Sequence, residues 1–129
     1  MGVLDELMGN ASEINLDNVR EECSKLMALG ETVEQAYSLL RDKLLFTNKR
    51  LIMVNKQGVT GKKVEFHSIP YNKIAHFSIE TAGNFEIESE LKIWIVGMGK
   101  DPIQMTFGKN QDVYKVQSVL AYYSNFAGA

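Results

Sequence analysis

From Val33 onward the chain is written in short runs of β-branched and aromatic residues cut by turn residues, and it ends in a single helical stripe. That pattern narrows the possible folds more than any other feature, because a period of two cannot sit as a helix and a period of 3.6 cannot sit as a strand. Val33 to Leu40 reads as the first strand, with Arg41-Asp42 as a tight turn. Lys43 to Phe46 then pairs with Leu51 to Asn55 through Thr47-Asn48-Lys49. The Lys56-Gln57-Gly58 and Gly61 region turns the chain into Val64 to Ile69, and Pro70 and Asn72 close that strand ahead of Ile74 to Glu80. Ala82-Gly83-Asn84 breaks the chain again. Leu91, Ile93 and Ile95 alternate with Lys92, Trp94 and Val96, and Ile103, Met105 and Phe107 alternate with Gln104 and Thr106, as half-buried antiparallel strands do. The period then changes: Val113, Val116, Leu120 and Tyr123 form one helical stripe behind an N-cap at Asn110, with Asp112 near the positive helix end.

About seven antiparallel strands leave open edges and an open end to a barrel-like sandwich, and one amphipathic helix is the right size to close it. Before Val33 the chain is different. Val3, Leu4, Leu7 and Met8 share a helical face that Gly9 stops. Leu16, Val19, Cys23, Leu26 and Met27 share another, with Asp17 or Asn18 as N-cap and Gly30 as the end. Asn10 to Asn15 reads as the linker between them. The expected organisation is an N-terminal helical extension over residues 1–30 and a β-rich domain over 31–129.

Several motifs then occur in one order. Leu45-Phe46-Thr47-Asn48-Lys49-Arg50-Leu51-Ile52 is followed by Gln57-Gly58, Gly61-Lys62-Lys63, Ser68-Ile69-Pro70-Tyr71 and Glu90-Leu91-Lys92-Ile93-Trp94-Ile95. Over roughly residues 31 to 122 this resembles the bacterial pleckstrin-homology domain family. The resemblance implies a mainly β, PH-like (α+β) fold: two roughly orthogonal antiparallel sheets capped by one C-terminal helix. It also implies a tendency toward homo-oligomers, rings among them.

Enzymatic chemistry finds no foothold in the sequence. His67 and His76 lie on separate strands, far from the single Cys23, so no metal-ligand spacing exists and no metal or other cofactor is expected. Ser68 and His67 are strand neighbours that point to opposite faces and cannot act as nucleophile and base. Glu86, Glu88 and Glu90 alternate as the wet side of a strand. The Gly58 to Lys63 loop lacks phosphate-loop spacing and leads into a strand, and Gly97 to Pro102 is a turn. Trp94 and Tyr71 read as core or cross-strand aromatics. Cys23 falls on an apolar helix face as a buried, inert thiol and forms no intramolecular disulfide, which fits a cytoplasmic protein. The first residues show no signal-peptide pattern, and Glu6 spoils a myristoylation motif at Gly2.

The formal charge of −2 gives no pull toward nucleic acid. Its distribution is uneven, however. Residues 1 to 34 hold six more acids than bases, and residues 41 to 63 hold six more bases than acids. Opposed blocks of this kind orient association. Self-assembly into homo-oligomers ranks first, with acidic N-terminal helices meeting the basic hairpins of a neighbouring copy. Recognition of a protein partner ranks second. Binding of an anionic membrane-lipid headgroup ranks third and is disfavoured, because the first-to-second strand turn Arg41-Asp42-Lys43 is short and broken by an acid. Lys49, Arg50, Lys62 and Lys63 are the candidate anion or partner contacts. Alternatively, the Thr47 to Arg50 tip is simply a well-made hairpin, in which Thr and Asn side chains bond the backbone.

Overall fold

The computed structural model describes residues 10–13, 15–38, 42–57, 63–81, 89–108 and 113–126. Its strands are β1 (Asn10–Glu13), β2 (Val33–Ser38), β3 (Asp42–Thr47), β4 (Arg50–Gln57), β5 (Lys63–Pro70), β6 (Ile74–Glu80), β7 (Ser89–Ile95) and β8 (Ile103–Phe107). Helix α1 (Leu16–Glu22) precedes β2, a 3-10 turn at Tyr71–Lys73 joins β5 to β6, and helix α2 (Val113–Phe126) closes the chain. The spatial order is β5-β4-β3-β2-β1-β8-β7-β6. Two antiparallel sheets result, β2 to β5 and β6 to β8, and the C-terminal helix lies against them as expected.

The expected linker at Asn10 to Asn15 is a structural joint. β1 runs antiparallel to β2 and parallel to β8, pairing Ser12 with Ser38 and Ala11 with Phe107, and so stitches the two sheets together. A polar segment can do this because an edge-to-edge bridge needs backbone N–H and C=O groups more than apolar side chains.

Burial explains the strand patterns. On β7, Leu91, Ile93 and Ile95 are buried while Lys92 and Trp94 are half-exposed, as the alternation requires. β3 departs from alternation, with Leu44, Leu45, Phe46 and Thr47 all buried. The cause is cover on both faces. Leu44 and Phe46 enter the main core with Tyr37, Leu51, Ile69, Leu91, Ile93, Met105 and Phe107, and α2 adds Val113, Val116 and Leu120. Leu45 faces outward into a second cluster with Ala36, Ile52, Val54, Val19 of α1 and Cys23 at its C-terminal cap. At ~1.5–3 kcal/mol for each large side chain fully buried, both faces contribute substantially. Helix α1 therefore packs on its own β domain.

The bounds of α1 differ from expectation. Its N-cap is Asn15, whose Oδ1 accepts from the backbone N–H groups of Asp17 at 2.8 Å and Asn18 at 3.4 Å. Asp17 lies in the first turn instead, where its charge complements the helix dipole. The helix stops at Glu22, well before Gly30. Leu26 and Met27 join the same cluster from the following turns, which is why their spacing mimicked a longer helix. Gly30 has φ +78°, in the left-handed region that glycine adopts without strain, and it terminates a loop. Asn15→Ala is expected to cost ~1 kcal/mol in urea unfolding, the usual loss for a removed Asn cap.

Asp42 is the first residue of β3, paired with Asn55 of β4, and Arg41 of the expected Arg41-Asp42 turn lies outside the described residues. The register of β2 shifts between Val33 and Gln35, leaving Glu34 as the extra residue of a bulge. Arg20 holds that bulge, donating from Nε at 3.0 Å and Nη2 at 2.8 Å to the Val33 carbonyl. The initial helix at Val3 to Met8, the Asn110 cap, the Ala82 to Asn84 break, and Glu86, Glu88, Lys62 and the Gly58 to Gly61 loop lie outside the described residues.

Candidate functional site

The Phe-Thr-Asn-Lys-Arg tip is a lock on the loop that follows α1. Thr47 ends β3 and its hydroxyl accepts from the backbone N–H groups of Lys49 at 3.0 Å and Arg50 at 2.9 Å, which tightens the two-residue turn. The same hydroxyl donates to Glu31 Oε2 at 2.6 Å. Asn48 bonds the loop through its side chain, accepting from Thr32 N at 2.9 Å and donating to the Gly30 carbonyl at 3.0 Å. Arg50 opens β4 and sends a two-pronged fork to Glu31, Nε to Oε2 at 2.9 Å and Nη2 to Oε1 at 3.0 Å. Its remaining donors reach Ser68 Oγ at 2.7 Å and the Leu26 carbonyl at 2.6 Å.

Glu31 has no solvent-accessible side-chain surface. Burial alone pushes such a carboxyl up. Here the Arg50 fork, the Ala28 N–H at 2.9 Å and the Thr47 hydroxyl outweigh burial and hold it down at about 2. A charged, fully partnered carboxylate is therefore the centre of the lock.

The lock continues to the C-terminal helix. Tyr71 donates to the Thr47 carbonyl at 2.5 Å and stacks on Tyr123, ring centres 5.0 Å apart. Tyr123 donates in turn to the bulged Glu34. Burial first, then the neighbouring Tyr123, Glu34 and Glu31, push the Tyr71 phenol up. Burial and the Glu34 contact push that of Tyr123 up to about 12. Both phenols thus remain donors at any physiological pH.

A groove opens on the other side of α1, toward the opposite end of the strands. Val19 and Glu22 of α1 and the capping Cys23 form one wall, with Lys43, Leu45, Val54 and Lys56 as the floor and Val64 and Phe66 as the far wall. The groove has a cavity volume of about 250 Å³. It exists because α1 covers the outer sheet face only as far as β4. Val64 and Phe66 on the edge strand β5 stay 40% and 42% exposed, although they face the same way as the buried Leu45 and Ile52.

The four residues singled out from sequence have separate fates. Arg50 directs its guanidinium inward to Glu31, Ser68 and the Leu26 backbone, while Lys49 is exposed at the turn. Lys63 is exposed at the start of β5, and Lys62 lies outside the described residues. The two opposed charge blocks meet within the chain at Arg50–Glu31 and at Lys43–Glu22, the latter 3.3 Å apart. Lys43, Lys56 and Phe66 were not picked out by sequence reasoning. The available signal was the same-face alternation Lys43-Leu45 and Val54-Lys56, which puts a lysine beside an apolar floor on two adjacent strands.

The other candidates resolve into structure. His76 stacks on Trp94 at 4.4 Å, and Glu90 accepts from Gln104 Nε2 at 2.7 Å on a wet sheet face. Cys23 is buried as expected, and burial pushes its thiol up, with Glu22 adding to the effect. Among the described residues there is no group of three or more His, Cys, Asp and Glu placed to hold a metal. None of the described helices is long and apolar enough to cross a membrane.

Comparison with known proteins meets this geometry from outside. The uncharacterised protein YjqA of Bacillus subtilis (strain 168) is 51% identical over 121 residues, 94% of this chain and 97% of the relative. A crystal structure of a DUF1696 family protein with a pleckstrin-homology domain from Shewanella loihica PV-4 superposes with a TM-score of 0.78 at 49% identity, covering 90% of this chain and 98% of that one. A pleckstrin-homology domain from Shewanella amazonensis SB2B gives 0.66 at 47% identity, over 95% and 98%. The family described as "Bacterial PH domain" matches residues 2–124. With two antiparallel sheets, a closing helix and a match over nearly its whole length, this chain belongs to the bacterial PH domain family.

Proposed function

We propose that this protein is a non-enzymatic, cytoplasmic interaction module that assembles with copies of itself. One observation carries the reading: Leu29 is 99% exposed on a loop whose backbone is fixed on both sides of it. Isolated exposed leucines are common and need no explanation. Here, however, the Ala28 N–H is held by Glu31 and the Gly30 carbonyl by Asn48. An apolar side chain presented on a fixed backbone loses little freedom on binding, which favours an interface. Two exposed neighbours strengthen the case. The Thr47 carbonyl is tied to Tyr71, and Lys73 O accepts from Val96 N at 2.8 Å, so the Val96 to Gly99 turn sits at the same end of the domain. Val96 and Met98 are both exposed there.

A second copy is the favoured partner because of the charges that remain after the internal pairs form. Glu21 on α1, and Lys49 and Lys63 on the hairpins, make no ion pair among the described residues. They supply a residual head-to-tail complement. A different protein docking on the same apolar end is the runner-up.

Light scattering on a sizing column, at low and high salt, tests the proposal. A constant multiple of 14.5 kDa at both is the expected result, since apolar contacts survive the screening that acts over ~8 Å at physiological salt. A monomer at both salts, at micromolar concentrations, overturns self-assembly and moves the search to the runner-up. Leu29→Asp should yield monomers with a melting temperature little changed, because a surface substitution usually alters stability by no more than ~0.5 kcal/mol.

A further inference from the structure

We infer that the groove between α1 and the outer face of β3 to β5 is a binding site for a small amphiphilic carboxylate, with an aliphatic tail of medium length and a single anionic head. The sheet register places head and tail recognition on one surface. Lys43 pairs across strands with Val54, Val54 with Phe66, and Lys56 with Val64. Lys56 also lies two residues beyond Val54, so both lysines and the three apolar residues share the outer face. Directly opposed strand residues have Cβ atoms about 5 Å apart, which roots both ammonium groups within a side chain's reach of the groove mouth.

The interior suits a hydrocarbon. Val64 and Phe66 present the exposed apolar surface, over a base closed by the buried Val19, Leu45, Val54 and the Cys23 thiol, which behaves as a small hydrophobe. At about 250 Å³ the groove falls below the roughly 300–1,000 Å³ of pockets that enclose drug-sized ligands, which suits a short chain. A longer lipid chain would project into water.

The mouth selects the sign of the head group. Two lysines face one acid there. Glu22 pairs with Lys43 at 3.3 Å, but its side chain is 63% exposed, and exposed pairs of this kind are readily exchanged. Lys56 makes no ion pair among the described residues. A carboxylate entering the mouth meets an unpaired ammonium and a second that can trade its partner. A cation meets net repulsion.

This site is independent of the assembly reading. Leu29 sits beside the Thr47 to Arg50 turn, whereas Lys43, Lys56 and Val64 lie toward the other ends of β3, β4 and β5.

Cys23 is the only cysteine and lines the groove; buried as it is, it labels slowly, and the change in that rate on adding a ligand is the readout. The experiment follows the rate at which a thiol-reactive dye labels the full-length protein in sodium octanoate, in octylammonium chloride, and with phosphatidylcholine vesicles containing anionic phosphatidylglycerol. Octanoate is expected to slow labelling at least about fivefold with a Kd on the order of 0.1–1 mM, as ligands of this size bind. Octylammonium and the vesicles should leave the rate unchanged. Lys56→Glu should abolish protection, judged against that variant's own unprotected rate, while leaving the melting temperature near wild type. Leu29→Asp should retain protection, whatever its effect on assembly. No protection at about 10 mM octanoate, well above that affinity range, overturns the site. Equal protection by octylammonium overturns the anion selectivity. Protection by vesicles alone, without octanoate, assigns the groove to a membrane surface and overturns the free carboxylate.

Discussion

Arg50→Ala is expected to lower the free energy of unfolding by ~3–5 kcal/mol, the cost of leaving a buried carboxylate without its partner. The Glu31 side chain has no exposed surface, so removing the fork strands its charge. The same substitution frees the Leu26 carbonyl and Ser68, and it loosens the loop that carries Leu29. Arg50→Lys should recover part of the loss. A lysine restores the positive charge but cannot reach Glu31, Ser68 and the Leu26 carbonyl with one planar fork. The double substitution Arg50→Met with Glu31→Leu should be far milder than either charge removed alone, since a buried ion pair replaced by apolar groups is often close to neutral. Urea unfolding of the three variants at neutral pH measures this. A loss below ~1 kcal/mol for Arg50→Ala would mean that Glu31 finds water or a new donor.

The pH profile gives an independent reading of the same lock. The folded value of Glu31, about 2, lies below its ordinary 4.5. A depressed carboxyl stabilises the fold above its unfolded pKa, and that contribution fades as pH falls from about 4.5 toward 2. At ~1.4 kcal/mol per pH unit, the loss across that window is about 3 kcal/mol. Glu31→Gln should flatten this part of the acid limb while lowering stability at neutral pH. Urea midpoints in both proteins at about pH 7, 4 and 2.5, which span that window, separate the Glu31 contribution from that of the surface acids.

The sequence yielded the β core because its burial is regular. Leu91, Ile93 and Ile95, or Met105 and Phe107, alternate since one face of each strand meets the core and the other meets water. The same reasoning failed wherever a second layer intervened. β3 is buried on one face by the main core and on the other by α1, so its period is lost, and Asn10 to Glu13 has no apolar period because its work is done by backbone pairing. The Thr47 to Arg50 motif was legible as a turn, and the local hydroxyl bonds are those expected of it. Its longer reach was not. Glu31 lies nineteen residues before Arg50, and nothing in one chain's sequence says that this acid, among the eight in the first thirty-four residues, is the buried one. The groove was illegible for a related reason: it is made by where α1 stops, which depends on packing and on no motif.

Phe107→Ala is expected to be the most damaging substitution of a single apolar side chain, costing ~3–5 kcal/mol. Its position at the joint is the reason. Phe107 is fully buried on β8, pairs with Ala11 of β1 and Ser89 of β7, and meets Tyr37 of β2 edge-on with ring centres 5.4 Å apart. Tyr37 in turn meets Phe46 edge-on at 6.0 Å, so the ring contacts run from one sheet into the other. Truncation removes the transfer energy of the ring, opens a cavity, and loses the ~0.5–1.5 kcal/mol that an edge-on aromatic pair adds. In a domain of this size each kcal/mol shifts the melting temperature by ~3–5 °C, so a fall of ~10–20 °C is expected. Phe66→Ala serves as the comparison. Its ring is 42% exposed at the sheet edge, and its loss should cost no more than ~1 kcal/mol. The shape of the Phe107→Ala transition carries further information. If the two sheets share one core through this joint, unfolding stays a single transition with an unchanged urea m-value. Two separate transitions would show that β1 alone holds the sheets together and that each sheet's core stands by itself.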